Sequence, residues 1–135
     1  AVYAIPFQAM YSASKAALNA YSSALAGETA RFGVSVCSVM PGDVRTGFTQ
    51  ARRKDSAGTN VYGRLVETSV ARMERDEARG MAPERIAAKV VRLAGRRRVA
   101  PRYTVGAQYK LLLFLGRLLP HSLIQRTIGK MYVKE

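Results

Sequence analysis

The feature that most constrains this chain is a short β-branched run, Val34-Ser-Val-Cys-Ser-Val-Met40, set directly behind a long helical stretch and closed by Pro41-Gly42. A run of that length and composition reads as a buried strand, and the Pro-Gly pair stops it. The residues before it, 9–32, are rich in Ala, Leu, Met and Lys, which favour helix. Leu18, Tyr21 and Leu25 fall at i, i+3 and i+7 as an apolar stripe, and Gly33 stands where a C-terminal cap belongs. The alternation recurs downstream. Residues 42–58 hold Gly, Asp, Thr, Ser and charges and read as a loop, and 59–79 fit one helix or two with a break. Pro83 suits a helix's first turn, Ile86, Val90 and Leu93 form its stripe, and Gly95 ends it. Arg102 to Gly106 predict a second short strand and 107–118 an apolar helix. Pro120 opens a last helix carrying Leu123, Ile124 and Ile128. Strands alternating with helices imply a parallel sheet. Two strands are too few to stand alone, so the others are expected in a portion preceding Ala1. The absence of an initiator Met fits that expectation.

With 48% hydrophobic residues in 135, the chain is too apolar for disorder. The single cysteine, Cys37, cannot close an internal disulfide and reads as a small buried hydrophobe. No basic-then-apolar opening resembles a signal peptide, and no apolar run approaches the roughly 18 residues of a membrane-spanning helix. The formal charge of +13 favours anionic partners. Its clusters, Arg52-Arg53-Lys54 and Arg96-Arg97-Arg98, lack the interleaved aromatics of a single-strand binder and read as solvated surface, not as a nucleic-acid site. His121, the one histidine, lies beside Pro120 without the partners of a metal site or a triad, and reads as solvent-facing or capping.

Tyr11 and Lys15 are spaced i, i+4 on the first helix, so their side chains share a face. A phenol is a poor base near neutral pH, and a neighbouring ammonium favours its ionised form. A group tuned in that way can exchange a proton with an alcohol or a carbonyl, for about 10²–10⁴ in rate.

The stretch Tyr11-Ser12-Ala13-Ser14-Lys15-Ala16-Ala17-Leu18 resembles the YxxxK signature of the classical short-chain dehydrogenases/reductases. Pro41-Gly42-Asp43-Val44-Arg45-Thr46 is similar to that family's PGxVxT motif at a strand's C-terminal end, in the right order and at the right separation. The resemblance implies the C-terminal part of a Rossmann-type, doubly wound parallel sheet in three αβα layers. Residues 1–46 would form the catalytic helix, strand and PG motif, 47–80 a substrate lid, and 81–135 the C-terminal helices and last strand. Tyr11 would be the acid/base and Lys15 its activator, also bonding the nicotinamide ribose. Pro41, Gly42, Val44 and Thr46 would line the cofactor, with Phe48 and Tyr62 as substrate contacts. The implied activity is hydride transfer between NAD or NADP and a carbonyl or alcohol, with the positive charge leaning toward NADP, in a homo-oligomer and in the cytoplasm. Neither Ser12 nor Ser14 takes the family's catalytic serine role, which belongs about thirteen residues before the tyrosine. With that serine and the glycine-rich turn both absent, the 135 residues alone are expected to be inactive.

Leu111 to Leu115, flanked by Lys110 and Arg117, read first as packing against the fold or a dimer mate. The sharper alternative is an entrance for lipid-like substrates or a shallow membrane contact. Two rivals accompany the enzyme reading. A basic module for nucleic acid or membrane would bind polyanions in a salt-sensitive way. An inactive relative would serve as a scaffold.

Overall fold

The computed structural model describes residues 3–52 and 59–133. It is a mixed α/β arrangement with a two-stranded parallel sheet, as expected of one part of a doubly wound fold. Helix α1 spans Ala9–Thr29, and Ala30–Phe32 tighten into a 3₁₀ turn. Gly33 ends that turn at φ 73°, a left-handed conformation that suits glycine. Strand β1 is Ser38–Pro41. It pairs in parallel with β2, Arg102–Val105, in the register Ser38 to Arg102 through Pro41 to Val105.

β1 is thus shorter than the composition of 34–40 suggests and begins later. Strand hydrogen bonding requires a partner, and β2 supplies one only from Ser38 onward. Val34 is left exposed. Pro41 does not stop the strand but is its last residue, where a missing N–H costs little.

The expected loop 42–58 contains a short helix, α2, Phe48–Ala51; residues 53–58 of it lie outside the described chain. Residues 59–79 form two helices, α3 (Thr59–Tyr62) and α4 (Leu65–Ala78), broken at Gly63, whose φ is 54°. Helix α5, Pro83–Ala94, opens on its proline as predicted. Leu93 is buried but Val90 is exposed. The side that turns inward carries Lys89 instead, its ammonium over the Tyr103 ring at 4.4 Å. Helices α6 (Ala107–Leu118) and α7 (His121–Tyr132) complete the described chain, Gly106 and Pro120 standing just before them.

The layers meet beyond the C-terminal ends of the two strands. Asp43 and Arg45, just after β1, bond to Met81, just before α5: Met81 N–H donates to the Asp43 carbonyl at 2.8 Å, and Arg45 N–H to the Met81 carbonyl at 3.0 Å. From the other side, the Tyr109 ring of α6 lies flush on Gly42, where any side chain would overlap it. The Tyr109 hydroxyl accepts from Asp43 N–H at 2.9 Å and donates to Asp43 Oδ2 at 2.8 Å. Gly80 touches the same segment, since a methyl group there would come within 2.6 Å of the Asp43 carbonyl.

Away from this junction the chain is open. A closed globule of 14.8 kDa exposes about 7,000 Å², whereas this chain exposes 10053 Å². Among the described residues the buried large apolar side chains are Met73 and Leu93. The predicted stripe on α1 is not buried: Leu18 and Tyr21 face outward, and the helix buries Ser12 and Asn19 instead. Asn19 accepts from the Ser38 hydroxyl of β1 at 2.6 Å, so a polar contact seats α1 on the sheet.

Because backbone, not a flexible side chain, faces Gly80, a Gly80→Ala substitution must displace the turn after β1. We expect it to lower stability by about 1–3 kcal/mol, read from denaturant unfolding of the full-length protein.

Candidate active site

Tyr11 lies in the first turn of α1. The turn has no side-chain cap and is held by tertiary contacts. Ser12, buried one residue on, accepts from Ile5 N–H at 3.4 Å, and Gln8 reaches the Met73 sulfur of α4 at 2.9 Å. Ser14 donates to the Tyr11 carbonyl at 2.8 Å. Both serines are thus occupied in fixing this turn.

The turn presents Tyr11 half-exposed, with the Lys15 ammonium 5.4 Å from its ring centroid. Across from them the Phe48 ring of α2 stands 6.2 Å from Tyr11, tilted by 47°. Phe48 is held by ion pairing behind it. Arg52 lies 5.7 Å from the Phe48 ring and is bound to Glu77 Oε1 of α4 at 2.5 Å, with Glu74 at 3.9 Å. Thr49 donates to the other Glu77 oxygen. The Arg52 and Glu77 side chains are only 12% and 18% exposed, so Arg52 is a buried strut and not the solvated charge that its cluster suggests. Arg53 and Lys54 lie outside the described residues.

The other expected site residues are placed as follows. Pro41 ends β1, and Gly42 and Val44 follow in the tight junction described above, partly buried. Thr46 is exposed, and its oxygen accepts from Phe48 N–H at 3.3 Å. Tyr62 does not meet Tyr11. It stacks edge-on against Phe7 at 5.5 Å, and Phe7 itself has a left-handed φ of 62°. The structure therefore brings Tyr11, Lys15 and Phe48 together, whereas Tyr62 meets Phe7, which precedes α1.

The donors suit a nicotinamide riboside. Among the described residues the Lys15 ammonium is not ion-paired and the Thr46 hydroxyl donates to no protein group. An ammonium, a phenol and a hydroxyl of this kind are what ribose hydroxyls and a carboxamide bind. His121 is exposed at the start of α7, and no group of metal-binding side chains occurs among the described residues. Cys37 is half-buried, and burial raises its thiol above the usual value, consistent with an inert packing role.

Sequence reasoning missed Tyr109, and with it the reason for a glycine at 42. Nothing in local spacing joins two residues 67 positions apart. The Arg52–Glu77 strut is hidden for the same reason. Desolvation raises the Tyr109 phenol above its ordinary value, and the Asp43 carboxylate beside it acts in the same direction.

Known proteins resemble this chain in sequence along most of its length. A family model described as short chain dehydrogenase matches residues 1–57. The chain is 34% identical over 134 residues to a 3-ketodihydrosphingosine reductase of Bacteroides thetaiotaomicron, covering 97% of this chain and 50% of that protein. It is 36% identical over 121 residues to a Helicobacter pylori protein named "Probable short-chain type dehydrogenase/reductase VdlC", covering 86% and 43%. It is 32% identical over 119 residues to a Drosophila melanogaster dehydrogenase/reductase SDR family protein 7-like, covering 87% and 33%. The chain thus spans half or less of the length of these relatives. No solved structure matches it.

Glu77→Gln should leave the Arg52 guanidinium under-compensated and lower stability by about 1–3 kcal/mol in denaturant unfolding of the full-length protein. Glu67→Gln, an exposed carboxylate on the same helix, should stay within about 0.5 kcal/mol. Tyr109 gives a pH signature. Its folded-state value is raised, so its contribution is complete below about 10 and is lost as pH climbs through the higher folded value. Tyr109→Phe should flatten the alkaline fall in stability.

Proposed function

We propose that this chain, which belongs to the short-chain dehydrogenase/reductase family, supplies the proton-transfer side of a nicotinamide-dependent oxidoreductase acting on a carbonyl or alcohol. One observation carries the reading: a half-exposed phenol with an ammonium one turn away and 5.4 Å from its ring, on a helix that leads into the sheet. The cofactor, when bound, supplies the hydride chemistry. In the reduction direction Tyr11 gives its hydroxyl proton to the substrate's carbonyl oxygen. Lys15 stabilises the phenolate left behind and holds ribose hydroxyls. Pro41, Gly42 and Val44 shape the floor where the nicotinamide would lie, and Thr46 offers a hydroxyl at its edge. The surplus of positive charge favours NADP over NAD, the former carrying the extra phosphate.

Phe48 forms an apolar wall beside the reacting phenol, and Tyr62 pairs with Phe7. Such a wall suits a ketone bearing an apolar tail. The name of the Bacteroides relative, a ketodihydrosphingosine reductase, points to the same class. Residues 1–46 serve as the catalytic segment, 47–80 as the substrate lid and 81–135 as its support. The phosphate-binding turn and the serine belong to sequence outside these 135 residues, so the isolated chain is proposed to be inactive.

Tyr11→Phe removes only the transferable proton. In the full-length protein, oxidation of NADPH and NADH should be followed against long-chain 3-oxo substrates, steroids and simple aldehydes. We expect turnover to fall by about 10²–10⁴ with reduced-cofactor affinity retained. Lys15→Met should weaken both. Wild-type activity that survives Tyr11→Phe would refute the assignment.

A further inference from the structure

We infer that the outer face of α6, with the cations beside it, docks on an anionic lipid surface. Helix α6 is apolar on two opposite sides. Its inner side, Tyr109, Leu113 and Gly116, packs inward, with Tyr109 on Gly42 and Gly116 against the Tyr3 hydroxyl. Leu111, Phe114, Leu115 and Leu118 fall at i, i+3, i+4 and i+7 on the opposite side and are 57%, 59%, 43% and 69% exposed. That is one complete helix face covered by no described residue, whereas most exposed apolar side chains are scattered singly. Lys110 and Arg117, seven residues apart, line one flank of it, both exposed.

Charge identifies the occupant. Residues 85–134 contain twelve Lys and Arg and no Asp or Glu, although the chain as a whole has nine acids. The stretch has no carboxylate of its own, and the Asp43 carboxylate that reaches it is bonded to Tyr109 on the inner side of α6. Next to α6 the charges are gathered: the Lys89 and Lys110 ammoniums stand 4.4 and 5.3 Å from the centroid of the Tyr103 ring, and neither is ion-paired among the described residues. Arg126 borders an open hollow with Pro120, Ser122 and Leu123, immediately after α6. An apolar helix face with the exposed cations Lys110 and Arg117 along one flank matches a bilayer interface, where the leucines enter the acyl boundary and the cations meet phosphate. A nucleic acid would use the cations but not the leucines. A second copy of the same face would bring Lys110 and Arg117 against their own equivalents. No described helix is long and apolar enough to cross a membrane, so the contact is interfacial.

The test is co-sedimentation of the full-length protein with vesicles of phosphatidylcholine containing about a third phosphatidylserine, against phosphatidylcholine alone. We expect binding to the anionic vesicles that weakens with added salt. Leu111→Ser/Phe114→Ser/Leu118→Ser should reduce it by about ten-fold or more. Lys110→Ala/Arg117→Ala, which alters two exposed side chains and decides the matter if the first variant fails to fold, should reduce it roughly twenty-five-fold, at about five-fold per cation. Three results would overturn the inference: no vesicle binding by the folded protein, vesicle binding unchanged in folded variants, or salt-sensitive capture of duplex DNA in place of vesicles. A dimer split by the leucine variant, without vesicle binding, would assign the face to a second copy and overturn it equally.

Discussion

The close approach of three segments beyond the ends of β1 and β2 is the contact on which the rest of this structure depends. Two parallel strands of four residues have little stability of their own. They are held because Asp43, immediately after β1, is bonded by the Tyr109 hydroxyl on one side and by Met81 N–H on the other. That geometry is possible only where side chains are absent. Gly42 admits the Tyr109 ring, and Gly80 lies against the Asp43 carbonyl. The Pro-Gly-Asp sequence at the strand's end therefore has a packing reason as well as the cofactor-lining one proposed for it. Holding this turn rigid also fixes Thr46 and Phe48, which follow it directly.

A second layer of control reaches the proposed site through charge. Phe48 is itself half-exposed. Its place beside Tyr11 is set by α2, and α2 is tied to α4 by the Arg52–Glu77 pair and the Thr49 bond. A nearly desolvated pair of this kind is geometrically demanding, which makes it a better positioning device than a stabiliser. Arg52 is held by Glu77, and further along the chain Tyr62 is held by its ring contact with Phe7.

The sequence is most legible where its signals are local. The helix 9–29, the glycine cap at 33, the proline-led helix at 83 and the two-strand parallel arrangement all follow from periodicity and punctuation within a few residues. So does the Tyr11–Lys15 pair, because i, i+4 spacing on a helix is enough to bring the two groups together. The start of β1 is not legible, since 34–37 have strand composition but no partner opposite. Tyr109 on Gly42, and Lys89 turned in against Tyr103 where Val90 was expected, depend on residues brought together by the fold. The stripe Leu18, Tyr21 and Leu25 is apolar as its spacing indicates, yet Leu18 and Tyr21 are exposed and Leu25 is only partly covered. Periodicity reports which face is greasy, not what lies on it.

That distinction bears on the exposed surface as a whole. An excess of about 3,000 Å² over a closed globule of this mass must be matched by other surfaces. The outward side of α1 carries Tyr21 and Leu18 with few charges and suits a protein surface. The outward side of α6 differs because it sits in a fifty-residue stretch holding only positive charge. Burying it in a protein interior would strand Lys110 and Arg117 at the rim beside Lys89 without a local carboxylate. Apolar area alone does not choose between a protein partner and a lipid surface; the cations around it do.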